Sequence, residues 1–169
     1  MHHGLNAQVI KMKILVDAYE NKQIRKYLTE LGCEIETKDL RKLGGDYHLI
    51  ENSDTVAVVE RKGICDLILS TTQKQGRSSH LFDQLTKIRK YKLPIFIIEG
   101  ITPKWSSDWD CVSYGKHYRF HRNFIIGVQI WCLKNNICPI RTQSTDETVR
   151  FIVQLAKKLS NQTKTKILS

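Results

Sequence analysis

The sequence predicts an α/β domain with a central mixed β-sheet flanked by helices. Two apolar runs, 47–50 and 55–59, flank a polar break at 51–54, which indicates a β-hairpin. The continuous apolar run 94–98 is typical of a strand buried on both faces. Amphipathic segments with helical spacing alternate with these strands. At 169 residues, the chain has the length of one domain with a single core.

The elements before the hairpin are a strand, a helix and a second strand. Residues 12–16 form a short apolar strand that ends at Asp17. The apolar positions of 24–31 follow helical spacing, and Gly32 marks the end of that helix. Residues 33–39 alternate enough for a strand towards an edge of the sheet. A basic, glycine-rich segment, 41–45, leads into the hairpin.

After the hairpin we expect helices over 64–70 and 80–91, separated by a polar segment, and then the buried strand 94–99. Residues 101–119 give only a poor signal for regular structure. The helix over 124–133 is apolar around much of its circumference, which suggests burial in the core or at a subunit interface. A proline in the strand 137–140 favours a sheet edge. Ser144 and Glu147 form a capping box for a last helix.

These elements fill residues 12–160, which we expect to be a single domain with flexible tails at 1–11 and 161–169. The start of the chain lacks the pattern of a signal peptide, and no apolar run approaches the roughly 20 residues needed to span a bilayer. The five cysteines include no C-x-x-C pair, which favours reduced thiols. We therefore expect an intracellular protein without a membrane partner, in the cytoplasm or nucleoid of a prokaryote or the nucleus of a eukaryote.

The charge balance suits a polyanionic partner. The chain has 27 Lys and Arg against 17 Asp and Glu, a formal net charge of +10. Such a balance is typical of nucleic-acid-binding domains, although many basic proteins bind nothing specific.

The hairpin carries the residues with the clearest chemistry. Side chains alternate along a strand, so Glu60 and Lys62 share a face and Arg61 points the other way. A turn centred near 52–53 places Asp46 opposite Val59 or Glu60, and a slip of one residue changes which face meets which. In the favourable register, Asp46, Glu60 and Lys62 converge. A Glu-Arg-Lys triplet alone would also fit a solvated strand end.

Two buried carboxylates beside an amine favour a divalent cation. Burying unpaired charge costs several kcal/mol per ion, roughly, and a cation removes that cost. Carboxylate oxygens are the hard ligands that Mg²⁺ prefers, and its waters can become nucleophiles. A lysine beside the metal can orient or deprotonate such a water, or stabilise charge on a phosphate.

The full string is more specific than its parts. Gly45-Asp46, Glu60-Arg61-Lys62 and Asp66 resemble the G-D-x(n)-E-R-K-x-x-x-D signature of the XPF family of structure-specific endonucleases. The resemblance implies a restriction-endonuclease-like fold and DNA cleavage that depends on Mg²⁺ or Mn²⁺. It implies that Asp46 and Glu60 are core metal ligands. Lys62 would act on the water or the transition state, and Arg61 would brace the site or a phosphate.

A second string precedes the signature. Residues 16–20 resemble the family's V-D-x-R-E, with Tyr19 in place of the arginine. The resemblance adds Asp17 as a metal ligand, and Glu20 and Asp66 as auxiliary acids. Locally, Asp17 and Glu20 would also fit a helix N-terminus, where the dipole stabilises negative charge.

The polar segment 71–79 resembles the part of the family that carries a G-R pair before a glutamine. Arg77, Lys74 and Gln84 would then contact the DNA backbone. Its simpler interpretation is a mobile surface loop.

The predicted function is a metal-dependent endonuclease acting on branched, flap or fork DNA in repair or recombination. The family resemblance and the apolar helix suggest a homodimer, or a heterodimer with a related subunit. Family members usually continue into a tandem helix-hairpin-helix domain, for which this chain has no room. Two alternatives stay open: a catalytically silent DNA-binding scaffold subunit, and a junction resolvase of the same superfold.

Overall fold

The computed structural model describes the backbone of residues 12–72, 80–101, 108–113, 116–121 and 123–167, and the side chains of 12–71, 80–101 and 123–160. Within these residues the elements follow one another as β1 (Lys13–Asp17), α1 (Lys22–Glu30), β2 (Glu34–Lys38), β3 (Tyr47–Glu51), β4 (Asp54–Gly63), α2 (Ile64–Thr72), α3 (His80–Ile88), β5 (Pro94–Glu99), β6 (Asp108–Ser113), β7 (Lys116–His121), α4 (Asn123–Lys134), β8 (Cys138–Thr142) and α5 (Thr145–Ile167).

Six strands form one mixed sheet in the order β2-β1-β3-β4-β5-β8. β3 is antiparallel to its neighbours β1 and β4, whereas the other pairs are parallel. The carboxyl ends of β1, β4 and β5 therefore lie next to the amino end of β3, at the same end of the strands. The mixed sheet and the edge positions of β2 and β8 confirm the sequence predictions.

β6 and β7 form a separate two-stranded antiparallel sheet. The sequence signal over residues 101–119 is poor, and these two strands were not predicted. Trp109 and Cys111 alternate with polar residues in β6, and Tyr118 and Phe120 do so in β7, but the alternation covers only a few positions of each strand.

The six-stranded sheet separates two apolar cores. α1 and α5 pack on one face over residues that include Ile14, Val59 and Ile97. α2, α3 and α4 pack on the other face over residues that include Val58 and Phe96. Both faces of β5 are buried, as the apolar run predicted.

The hairpin of β3 and β4 confirms the prediction at its turn. Glu51 pairs with Asp54, and the two residues between them, Asn52 and Ser53, have φ angles of 50° and 71°. Two left-handed residues give the tight turn whose twist matches that of paired strands. A β-bulge between Leu49 and Ile50 shifts the register on the way to the site.

The helix ends follow their local chemistry. The Asn21 side chain accepts a hydrogen bond from the Gln23 N–H at 2.8 Å and caps α1. At α5, the Ser144 hydroxyl accepts from the Glu147 N–H at 3.3 Å, as the capping box predicted. α5 extends to Ile167, past the domain boundary expected at residue 160. Within the described part of the chain, no helix is long and apolar enough to cross a lipid bilayer.

The cysteines depart from the prediction at one position. Cys33, Cys132 and Cys138 are free, whereas Cys65 is disulfide-bonded. The expectation of reduced thiols is therefore wrong for Cys65. Cys65 lies in the first turn of α2, which contacts β6. Cysteine spacing along the chain does not reveal such a tertiary contact.

Candidate active site

At the carboxyl end of β4, the predicted residues lie on both faces of the sheet. Val58 belongs to the core under α3, and Val59 belongs to the core under α1 and α5. The alternation along β4 therefore places Glu60 and Lys62 on the α3 face and Arg61 on the α1 face. This confirms the predicted separation of Arg61 from its two neighbours.

At this end of the strands, a cavity of about 350 Å³ opens on the face of the sheet that α3 covers. Asp17 from the end of β1, Asp46 before β3 and Glu60 from β4 all line it. The other lining residues are Tyr19, Leu40, Arg41, Gly44, Gly45, His80, Gln84 and Lys87. The three residues predicted as metal ligands therefore share one cavity.

Two glycines bring Asp46 to this position. Gly44 and Gly45 have φ angles of 82° and 83°, a conformation that residues with a side chain rarely adopt. A Cβ on Gly45 would lie 2.3 Å from Val58 Cγ1, and one on Gly44 would lie 2.6 Å from Lys87 Cβ. The absence of both side chains lets the segment pass between β4 and α3.

Backbone hydrogen bonds then fix Asp46 at the junction of three strands. Its N–H donates to the carbonyl of Val59 at 2.8 Å, and its own carbonyl accepts from the Asp17 N–H at 2.8 Å. The Arg61 N–H donates to Asp46 Oδ2 at 2.7 Å. The ladder places Tyr47 opposite Val59, so Asp46 reaches Glu60 in the register that brings the two carboxylates together.

Glu60 is almost fully buried, with 1% of its surface exposed. Lys62 Nζ lies 3.1 Å from Glu60 Oε1 and forms an ion pair. Oε1 is shielded from solvent, and the Lys62 ammonium is its ionic partner. A carboxylate has further lone pairs, so a second cation could share it with Lys62.

The two neighbouring carboxylates titrate abnormally. Burial and the charge of Glu60 raise the pKa of Asp46 well above its ordinary value. Burial also raises the pKa of Glu60, although the Lys62 ammonium opposes that change. For Lys62, burial opposes the charged form, but Glu60 and Asp46 raise its pKa above the ordinary value. Lys62 is therefore an ammonium, which can orient a water or offset negative charge but has no free pair to accept a proton.

Asp17 completes the acidic lining of the cavity. Its side chain is 8% exposed, and Oδ1 accepts a hydrogen bond from the Leu40 N–H at 2.8 Å. Glu20, by contrast, lies directly before α1 and accepts the N–H of Asn21 at 2.7 Å. Asn21 caps α1, and its first turn contains no acidic residue.

The structure places Glu20 on the opposite face, with Arg61. Arg61 Nη2 donates to Glu20 Oε1 at 2.8 Å, and the Tyr47 hydroxyl donates to Glu20 Oε2 at 2.6 Å. Burial alone would raise the pKa of Glu20, but the Arg61 guanidinium and the Tyr47 hydroxyl hold it below its ordinary value. Glu20 is therefore an ionised partner of Arg61 rather than a lining residue of the cavity.

Glu99 joins this network, although the sequence analysis did not select it. Arg61 Nη1 donates to Glu99 Oε1 at 3.1 Å, and the hydroxyls of Thr145 and Thr148 donate to the same carboxylate at 2.8 and 2.6 Å. Glu99 ends the buried run of β5, and β5 is parallel to β4. An acid at the carboxyl end of a neighbouring parallel strand was the signal that could have identified it.

The remaining predicted residues lie further out. Asp66 is exposed in the first turn of α2 and does not line the cavity, but its charge helps to raise the pKa of Lys62. Gln84 lines the cavity, and its Oε1 is buried without a hydrogen-bond partner in the described part of the chain. Lys74 and Arg77 lie outside the described residues. His80, Lys87 and Arg41, which the sequence analysis did not select, line the cavity.

The donor set fits a divalent cation. Within the described ranges, no three His, Cys, Asp or Glu side chains are already arranged as a metal site. Asp17 and Asp46 each accept a backbone N–H, and Glu60 is paired with Lys62. The chemistry nevertheless matches a hard cation, because three carboxylates line one cavity. Asp17, Asp46 and Glu60 are the residues that would hold it.

Two solved structures have the same fold. XPF from Aeropyrum pernix matches with a TM-score of 0.62 and 21% identity, over 92% of this chain and 68% of that chain. XPF from Aeropyrum pernix in complex with DNA matches with a TM-score of 0.61 and 20% identity, over 89% of this chain and 66% of that chain. The mixed sheet and its flanking helices therefore have the restriction-endonuclease-like α/β fold of these XPF structures.

The family follows from the sequence. The ERCC4 domain model matches residues 16–155, and the chain belongs to the ERCC4 domain family. A protein of Methanocaldococcus jannaschii that is named an ATP-dependent RNA helicase is 28% identical over 148 residues, which are 87% of this chain. The chain spans only 16% of the length of that relative.

Proposed function

We propose that this domain is a structure-specific endonuclease that hydrolyses phosphodiester bonds in branched, flap or fork DNA during repair or recombination, with Mg²⁺ or Mn²⁺ as its cofactor. The observation that carries the proposal is the convergence of Asp17, Asp46 and Glu60 on one cavity, with the Lys62 ammonium 3.1 Å from Glu60. Membership of the ERCC4 domain family and the net charge of +10 support DNA as the substrate.

The roles of the residues follow from their environments. Asp17, Asp46 and Glu60 would hold a divalent cation, which would supply Lewis-acid polarisation of a phosphate and a more acidic water. Lys62 is held charged beside Glu60, where it can orient the attacking water and offset negative charge on the phosphate in the transition state. The reaction is in-line attack of water on phosphorus with expulsion of an alkoxide.

Arg61 acts as a positioning residue. Its backbone N–H holds one oxygen of Asp46, and its guanidinium is fixed on the opposite face by Glu20 and Glu99. The strand end that carries Glu60 and Lys62 is thereby anchored from the far side. A site built on strands needs such support to hold its geometry within tenths of an ångström.

The decisive test is cleavage of labelled flap, fork, four-way-junction and linear DNA in Mg²⁺, in Mn²⁺ and in a chelator. Asp46→Asn and Glu60→Gln should abolish cleavage with the fold intact, which circular dichroism can check. The loss should exceed the roughly 100-fold effect typical of residues that only support metal ligands. Glu30→Gln is the matched control, because Glu30 is an exposed acid at the far end of α1. Wild-type rates for Glu60→Gln would overturn the assignment.

The same experiment separates the rival functions. A silent scaffold would bind the branched substrates and cleave none of them in either metal. A junction resolvase would cleave the four-way junction in preference to flaps and forks. The cost of keeping Asp46 and Glu60 buried side by side favours an active enzyme, because a scaffold has no use for the pair.

We further propose that the domain dimerises through α4, with a second copy or a related subunit. Ile125, Val128 and Cys132 face the core, whereas Ile126, Ile130 and Leu133 are exposed by 44%, 48% and 63%. The exposed positions follow helical spacing, so they form one apolar stripe. Such a stripe is typical of an interface.

A further inference from the structure

We propose that Arg41, stacked on Tyr19, binds a backbone phosphate of the nucleic-acid substrate at the wall of the carboxylate cavity. This inference rests on the nuclease function proposed above. It concerns a departure of this chain, in which position 19 is a tyrosine and the string Val16-Asp17-Ala18-Tyr19-Glu20 contains no cation. The structure brings a cation, Arg41, over the Tyr19 ring from the segment that follows β2.

Arg41 and Tyr19 form one accessible surface. The guanidinium carbon lies 4.5 Å from the centroid of the Tyr19 ring, within the range of a cation–π contact. Both residues line the cavity that Asp17, Asp46 and Glu60 share. Tyr19 is 68% exposed and the Arg41 side chain is 64% exposed, so a ligand can reach them.

The guanidinium is held in a fixed orientation. Asp39 accepts hydrogen bonds from Arg41 Nε at 3.0 Å and from Nη2 at 2.6 Å, and the Lys87 ammonium donates to the Arg41 carbonyl at 3.1 Å. Nη1 makes no hydrogen bond to any residue that the structure describes. Arg41 is therefore preorganised and keeps donors for a ligand, which lowers the entropy lost on binding.

A phosphate that enters the cavity needs a cation to offset the negative charge of the carboxylates. Three carboxylates approach the same space, and each repels a phosphate. Arg41 lines the same cavity as Asp17, so its guanidinium can offset part of this negative charge for a phosphate. Arginine also suits the task, because its planar fork matches two phosphate oxygens.

The contact should be independent of base identity. Arg41 reaches the ligand from a wall that also carries Tyr19 and Lys87. Guanidinium contacts to phosphate position a strand without reading its sequence. Arg41 should therefore contribute to affinity for every cleavable DNA, at a phosphate next to the scissile bond.

The test compares Arg41→Ala with Lys42→Ala, which removes the same charge from an exposed neighbour that does not line the cavity. Arg41→Ala should raise the KM for flap DNA about tenfold, as expected for the loss of a charged hydrogen bond. It should also reduce the slope of log affinity against log salt by about 0.9. Lys42→Ala should change KM by less than about twofold. Thermal melting of each variant checks the fold.

A rescue variant gives the sharper outcome. Tyr19→Arg in the Arg41→Ala background restores a cation at the same wall and should recover most of the lost affinity. An Arg41→Ala protein with the KM and salt slope of Lys42→Ala overturns the inference, as does a double variant no better than Arg41→Ala. A wild-type protein that cleaves no DNA, or cleaves as well with Glu60→Gln, instead overturns the proposed function.

Discussion

Arg61 Nη2 donates to Glu20 Oε1 at 2.8 Å on the face of the sheet opposite the cavity, with only 6% of the Glu20 side chain exposed. Arg61 therefore contributes to the site through its backbone N–H to Asp46, while its charge is neutralised elsewhere. The Glu-Arg-Lys triplet of β4 is divided between the two faces of one strand: Glu60 and Lys62 lie on the α3 face, where Glu60 lines the cavity, and Arg61 lies on the α1 face.

The first prediction concerns the ion pair between Arg61 and Glu20. Glu20→Ala removes a buried partner of Arg61 and the acceptor of the Tyr47 hydroxyl, and should destabilise the fold by about 3 kcal/mol. Urea denaturation measures this free energy of unfolding. Glu30→Ala, on the exposed end of α1, should change it by less than about 0.5 kcal/mol. A stable Glu20→Ala protein that has lost cleavage would instead make Glu20 a residue of the chemistry.

The second prediction concerns the repulsion between Asp46 and Glu60. The pKa of Asp46 is raised in the folded state, so its contribution to stability is fully present below the unfolded pKa of about 4 and is lost as the pH rises through the folded pKa. Asp46→Asn removes this loss and should make the metal-free protein more stable than wild type at pH 7 to 8.

Urea denaturation in a chelator from pH 4 to pH 8 measures the difference between the two proteins, which should shrink towards pH 4. Asp46→Asn is a cleaner variant than Glu60→Gln, because the latter leaves the Lys62 ammonium without its ion pair. A variant less stable than wild type at every pH would contradict the predicted repulsion.

The third prediction separates binding from chemistry at Lys62. Lys62→Ala should leave DNA affinity nearly unchanged but slow cleavage on the order of 100-fold or more, because the ammonium offsets charge that develops only in the transition state. Single-turnover rates at saturating protein, set beside equilibrium binding in Ca²⁺, measure the two effects. Lys38→Ala, at the exposed end of β2, is the matched control. An equal loss in affinity and in rate would assign Lys62 to ground-state binding.

The fourth prediction concerns His48, which supports the glycine segment. Its Nε2 lies 2.7 Å from the Gly44 carbonyl, and burial lowers its pKa below the ordinary value. Its contribution to stability is therefore present above the unfolded pKa of about 6.5 and is lost as the pH falls through the folded pKa. Unfolding should become easier between about pH 7 and pH 5, and His48→Gln should flatten that part of the profile. An unchanged profile would exclude His48 as the cause.

The fifth prediction concerns assembly through α4. Wild-type protein should sediment as a dimer at micromolar concentration, and Ile130→Glu should shift it to a monomer, because a charge in an apolar interface is costly. Ile101→Glu is the control, since Ile101 is 78% exposed and follows β5 rather than belonging to α4. A wild-type monomer at that concentration would contradict the interface. An obligate contact of this kind should bury on the order of 2,000 Å² or more.

The order and type of most elements could be predicted because each depends on local sequence. The run that forms β5, the turn at Asn52 and Ser53, and the cap at Ser144 need only their neighbours along the chain. β6 and β7 were not predicted, since each offers only two apolar residues in alternation and the pairing between the two strands depends on the fold. The disulfide at Cys65 depends likewise on a partner that spacing does not reveal.

By itself, the sequence determined the hairpin and the resemblance that selected Asp17 and Asp46. It also determined which face of the strand Glu60, Arg61 and Lys62 occupy, because side chains alternate along a strand with a fixed period of two. Only the tertiary structure decided that Glu20 turns to Arg61, that Glu99 completes that network, and that Arg41 stacks on Tyr19 beside the carboxylates. The reason is physical: these contacts join residues from different strands, helices and loops, and their geometry depends on the order and twist of the whole sheet.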